Sequence, residues 1–104
     1  MNEQQFSMFD KGIAERFQIF HRDNPHIYQR IVDIAFEMRQ RGVKKMGIAL
    51  IFERLRWLNF IEVNTGEGEF RLSNDFRSEY SRLIMQQEPG LEEFFEVREL
   101  RRIR

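Results

Sequence analysis

The chain has 104 residues, of which 17 are Lys or Arg and 17 are Asp or Glu, so its formal net charge is zero. This length predicts one domain, residues 1–104, and excludes a two-domain enzyme, because domains run to about 100–150 residues. There is no Cys, which excludes disulfides, thiol nucleophiles and thiolate zinc sites.

Two features of the sequence bear on its location. The longest stretch without a charged residue runs from Met46 to Phe52, whereas a membrane-spanning helix needs about 20 apolar residues. The residues that follow Met1 are polar and acidic, where a secretory signal is basic and then apolar. We therefore predict a cytoplasmic protein with no membrane partner.

The N-terminal segment 1–22 carries apolar residues at steps of three and four, the spacing of one stripe on an α-helix. The stripe predicts a helix over residues 3–22 and consists of Phe6, Phe9, Ile13, Phe17 and Phe20. The helix is expected to end near Asp23, because Asn24 precedes Pro25 and a residue before proline is pushed out of the helical region.

A second helix is predicted over residues 25–41, with Asn24 as its N-cap and Pro25 at its first position. Gly42 stands where a left-handed residue commonly ends a helix. Residues 43–46 are too few for more than a loop or a single β-bridge.

A third helix is predicted over residues 47–58, and it is apolar on two sides. One stripe consists of Ile48, Ile51, Phe52, Leu55 and Leu58. At about 100° per residue, Leu50 and Trp57 fall on the opposite side, with Arg54 between the stripes. Two interpretations are open: the helix is sandwiched between two layers with Trp57 in the core, or Leu50 and Trp57 form a partner-binding surface.

Residues 59–72 alternate between apolar and polar positions around a connection that contains two glycines. This pattern predicts a β-hairpin. A fourth helix follows over residues 75–87, capped by Ser73 or Asn74 and ended by Pro89.

The predicted domain therefore has three parts: the helix 1–22, the helices and hairpin of 24–88, and a short C-terminal helix or tail over 90–104. The fold class is mainly α with one β-hairpin (α+β). The side chains expected to be buried are Phe17, Phe20, Ile31, Ile51, Leu55 and Phe70.

The sequence contains no recognisable catalytic or metal-binding constellation, so we predict a non-enzymatic protein without a cofactor. His21 and His26 flank Asp23, but they are five residues apart across a predicted helix break, whereas two His ligands on one helix face need a spacing of three or four. Capping and hydrogen bonding between helices is the better interpretation of this cluster.

Charge is distributed unevenly along the chain. Between residues 39 and 56, six basic residues accompany Glu53 alone, whereas residues 88–99 contain five Glu and Arg98. A positive segment of this kind is a candidate for contacting phosphates, although surface charges also pair with one another without any function. The candidate nucleic-acid-binding residues are Arg41, Lys44, Lys45, Arg54 and Arg56.

The order of helices, short bridge, helix, hairpin and closing helix resembles winged-helix domains. In those domains the helix before the hairpin enters the major groove and the tip of the hairpin contacts the DNA backbone or the minor groove. The resemblance implies a winged-helix-like single domain that binds double-stranded DNA.

Several segments also resemble a set of small, uncharacterised phage and prophage proteins, over about residues 14–102. The segments are Asn24–Tyr28, Gly42–Met46, Leu55–Trp57, Phe70–Asn74, Tyr80–Ile84 and Phe94–Arg98. This resemblance implies a phage or mobile-element setting and no particular activity.

Two functions are therefore expected. The first is a phage-type DNA-binding or regulatory accessory protein that acts through its basic segment. The second is a protein-interaction module, such as an inhibitor or adaptor of a host protein, that binds through Leu50 and Trp57. Neither expectation specifies an oligomeric state.

Overall fold

The computed structural model describes residues 2–62 and 72–97, which contain four α-helices and one 3₁₀ turn. Side chains are described for residues 12–59 and 72–97. The elements are α1 (Asn2–Asp23), α2 (Pro25–Gln40), α3 (Ile48–Glu62), the 3₁₀ turn (Asn74–Phe76) and α4 (Arg77–Gln87).

The break between α1 and α2 lies at the predicted position, but Asn24 acts differently from the prediction. Pro25 begins α2, while the Asn24 side chain makes no capping hydrogen bond to that helix. Its Nδ2 instead donates to the Phe20 carbonyl at 3.0 Å, and its backbone N–H donates to the same oxygen at 2.8 Å. The last turn of a helix leaves carbonyls without a helical hydrogen-bond donor, and Asn24 supplies two donors to one such carbonyl of α1.

The predicted end of α2 is confirmed, whereas the predicted cap of the fourth helix caps a 3₁₀ turn and α4 itself begins at Arg77. Gly42 follows α2 with a φ of 101°, a backbone conformation that favours glycine. The Ser73 Oγ accepts a hydrogen bond from the Asp75 N–H at 3.0 Å and so caps the 3₁₀ turn that leads into α4.

The predicted β-hairpin over residues 59–72, and with it the α+β class and the winged-helix-like arrangement, is wrong. Residues 2–62 and 72–97 contain no strand, and Asn59 to Glu62 continue α3. No Gly or Pro interrupts the chain between Leu58 and Glu62, and a short alternating run fits a helix as well as a strand. The rest of the predicted hairpin, including Phe70, lies outside the described residues except for Leu72, which is buried without being part of a strand.

The hydrophobic core draws on every described helix and on the segment after α4. The predicted burial of Phe17, Ile31, Ile51 and Leu55 is confirmed, whereas Phe20 is only partly buried. The core residues are Phe17, Ile27, Ile31, Val32, Ala35, Ile48, Ile51, Phe52, Leu55, Leu72, Phe76, Tyr80, Ile84, Leu91, Phe94 and Phe95.

The segment 91–97 closes the core without forming the predicted short helix. Met46 and Phe95 form a single parallel β-bridge, in which the Met46 N–H donates to the Phe94 carbonyl and the Glu96 N–H donates to the Met46 carbonyl, both at 3.0 Å. Phe94 and Phe95 are buried in the core, and the bridge holds their segment beside the residues that precede α3.

Candidate interaction surface on helix α3

Helix α3 has one face in the core and one face in solvent. Ile48, Ile51, Phe52 and Leu55 are buried, and they lie within about 100° of one another around the helix. Trp57 lies about 180° from the centre of that buried stripe, and Leu50 lies two turns before it on the same side. The side chains of Leu50 and Trp57 are 66% and 57% exposed.

Arg54 completes this exposed face. It lies one turn from both Leu50 and Trp57, and it is exposed. It makes no ion pair with any of the described side chains. Glu53, its neighbour in sequence, is paired with Arg56 at 2.7 Å. We call Leu50, Arg54 and Trp57 the α3 outer face.

Arg56, a predicted DNA-binding residue, is placed in an internal network instead. Besides Glu53, its guanidinium donates to the Leu72 carbonyl at 2.8 Å and to the Asn74 side-chain oxygen. It also lies 5.9 Å from the centre of the Phe52 ring. Three hydrogen-bond acceptors and a ring therefore hold this side chain between α3 and the 3₁₀ turn.

The other predicted DNA-binding residues divide between two places. Lys44 and Lys45 line one shallow depression before α3, together with Arg39, and Arg54 and Arg56 are not among the residues that line it. Glu92 and Glu93 line the same depression, and Arg41 is paired with Glu37 at 3.0 Å. The positive charge that the sequence concentrates in this segment is therefore mixed with negative charge in the fold.

Rings that sequence reasoning did not connect form a cluster between α1, α2 and α4. The Phe17 ring meets Tyr80 edge-on at 4.7 Å between centroids and stacks on His21 at 5.7 Å, and the His21 ring lies 5.2 Å from Tyr28. His21 thus packs against aromatic rings. The described contacts do not support the predicted role of His21 in capping and hydrogen bonding, because its Nδ1 is buried and has no hydrogen-bond partner among them.

The two tyrosines of this cluster have perturbed acidities. Burial raises the pKa of the Tyr80 hydroxyl, which has no hydrogen-bond partner among the described residues. Burial also raises the pKa of Tyr28, and Glu88 raises it further by accepting a hydrogen bond from the Tyr28 hydroxyl at 2.8 Å and through its negative charge. Both groups stay protonated and neutral at physiological pH.

The described residues contain no group of His, Asp and Glu side chains arranged to hold a metal ion. Within the same part of the chain, no helix combines the length and the apolar character that spanning a bilayer requires.

The sequence predicted only part of the α3 outer face. The helical spacing placed Leu50 and Trp57 together, but it left open whether another layer covers them. Comparison with known proteins adds no further assignment: no family model matches the chain, and no curated protein or solved structure shows significant similarity to it.

Proposed function

We propose that this protein is a non-enzymatic interaction module that binds a partner protein through the α3 outer face. The observation that carries the proposal is the exposure of Trp57, at 57%, on the same helix side as the exposed Leu50. Trp and Arg are the residues that most often supply the binding energy of protein interfaces. The outer face combines both with an aliphatic neighbour.

The burial of the opposite stripe strengthens this argument. The core side chains of α3 lock the helix in the domain, so the outer face is presented on a rigid element. A preorganised face loses little conformational entropy on binding, which favours affinity. Leu50 and Trp57 lie on one side of the same helix with Arg54 between them, so a single partner surface could contact all three.

DNA binding is the less favoured function. It depended on a winged-helix arrangement and on one positive surface that included Arg56, and that side chain is held in an internal network. The depression beside Lys44 and Lys45 also contains two carboxylates, which a phosphate backbone would repel. The cytoplasmic location and the phage or prophage setting remain part of this proposal, on the basis of the sequence alone.

Affinity capture from a nuclease-treated host lysate tests the proposed function. The intact chain should retain a stoichiometric protein partner, and Trp57→Ala should lose it. Ile19→Ala is the matched control, because Ile19 is an exposed apolar side chain on a different helix, at 47% exposure. It should retain the partner.

Two results would contradict the proposal. Equal capture by the intact chain and by Trp57→Ala would mean that the α3 outer face is not the binding site. Capture from an untreated lysate that is absent from the nuclease-treated lysate, together with duplex binding that weakens steeply with salt and depends on Lys44 and Lys45, would favour the DNA-binding function.

A further inference from the structure

We infer that the partner of the α3 outer face is an amphipathic helix with carboxylate side chains beside its apolar stripe. This inference rests on the proposed function and specifies the chemistry of the partner. It follows from the spacing of the exposed side chains, from the charge between them, and from the arrangements that this charge disfavours.

The spacing matches a second helix. Leu50 and Trp57 are separated by two helical turns, about 10 Å along α3. Apolar side chains seven residues apart lie in line along a helix, and this is the repeat with which one helix packs along another. An amphipathic partner helix would supply its own apolar residues at steps of three and four to both positions.

The charge of the face selects an acidic partner. Glu53 is the nearest carboxylate in sequence, and Arg56 already holds it in an ion pair at 2.7 Å. Arg54 makes no ion pair among the described residues, so the outer face presents one uncompensated guanidinium. A guanidinium binds a carboxylate through two parallel hydrogen bonds, and this pairing gives orientation as well as affinity.

A second copy of the chain fits this face less well. In an antiparallel pair of α3 helices related by a two-fold axis, Arg54 of one copy would lie beside Arg54 of the other, and the like charges would repel. In a parallel pair it would lie beside Glu53 of the other copy, which would have to share its carboxylate with Arg56. An acidic helix from another protein has neither disadvantage.

Selection from a display library of helical peptides with randomised surface positions tests the inference. The baits are the intact chain, Arg54→Glu, Trp57→Ala and, as the matched control, Ile19→Ala. The intact chain and Ile19→Ala should enrich peptides with Asp or Glu beside an apolar stripe. Arg54→Glu should enrich Lys and Arg at the same positions and should bind the acidic peptides about tenfold more weakly.

The outcomes separate this inference from the proposed function. The acidic-helix partner is overturned if the selected peptides require Trp57 but carry no excess of carboxylates, or if they bind Arg54→Glu as well as the intact chain. Either result leaves the proposed interaction module intact. If no selected peptide binds the intact chain better than Trp57→Ala, both the acidic-helix partner and the proposed function are overturned. A dimer of the isolated chain in sedimentation equilibrium that Trp57→Ala abolishes would show that a second copy occupies the face, and it would also overturn the inference.

Discussion

Trp57 carries the largest apolar side chain of this protein and directs it away from the core. The chain has a single Trp, so its fluorescence reports on this position alone. We expect the isolated protein to emit like an indole in water and to be quenched readily by iodide, because the side chain is 57% exposed. The emission of the urea-unfolded chain provides the reference. A strongly blue-shifted emission with little quenching would place Trp57 in the core and contradict the exposed face.

Arg54 and Arg56 are two residues apart on one helix but have different roles. Replacing Arg56 by Ala leaves the Leu72 carbonyl and the Asn74 side chain without their donor. We expect a loss of about 1–3 kcal/mol in the free energy of unfolding, since hydrogen bonds to a charged group contribute about that much.

Arg54→Ala is the matched control for Arg56, because the Arg54 side chain is exposed and makes no described ion pair. It should change stability by no more than about 0.5 kcal/mol. Urea denaturation of the two variants measures the difference. Equal stability of both would show that the Arg56 network does not hold α3 to the segment around Asn74.

At the scale of elements, Gly42 and Gly90 end α2 and the turn after α4 with nearly the same backbone conformation, at φ values of 101° and 100°. They differ in their surroundings. A Cβ at Gly42 would meet nothing within 4 Å, whereas a Cβ at Gly90 would lie 3.2 Å from Cε1 of Phe36. The backbone strain is therefore shared, and the steric overlap is specific to Gly90.

This difference predicts an order of stabilities. Gly42→Ala should cost about 1–2 kcal/mol, the penalty of left-handed backbone for an L-residue. Gly90→Ala should cost more, because Phe36 must shift as well. Thermal and urea denaturation of both variants measure the order. If the two substitutions cost the same, the turn of Gly90 adapts without disturbing Phe36.

Helix α3 is longer than its local sequence predicts, because packing against other elements stabilises it. The sequence predicts that the helix ends at Leu58, but it continues to Glu62. The side chains of Leu55 and Phe52 are buried near its middle, and a helix already anchored by packing extends until a residue stops it. The first glycine of the predicted hairpin, Gly66, comes only after this end.

At the scale of the whole molecule, the two tyrosines link stability to alkaline pH. The pKa of both hydroxyls lies above the usual value of 10 in the folded protein. Above about pH 10 the unfolded chain therefore releases these protons while the folded chain holds them, and the free energy of unfolding falls as the pH rises further. Below about pH 10 the two hydroxyls make no such contribution to the pH dependence.

Tyr80→Phe isolates one of the two groups. Tyr80 is fully buried, and no group in the described part of the chain hydrogen-bonds to its hydroxyl. The variant should therefore keep its stability at neutral pH and lose less of it at alkaline pH. Urea midpoints across a pH series measure this, with tyrosinate absorbance followed in parallel. Tyrosinate that forms near pH 10 in the folded protein would show that both rings are accessible to water.

Local features of the sequence determined most of the helical framework. The apolar spacing of α1 and α2, the break at Pro25, the glycine after α2 and the cap at Ser73 all act over a few residues, so they can be read without knowledge of the fold. The spacing also placed Leu50 and Trp57 on one side of α3.

Contacts between distant parts of the chain determine which side of α3 is buried and which arginine is left for a partner to bind. The stripe of Ile51 faces a core to which distant parts of the chain contribute, including Phe94 and Phe95, whose segment pairs with Met46. Arg56 is held by Leu72 and Asn74, 16 and 18 residues away. Helical periodicity defines the faces of a helix, but contacts between residues far apart in sequence determine which of those faces meets another element and which meets water.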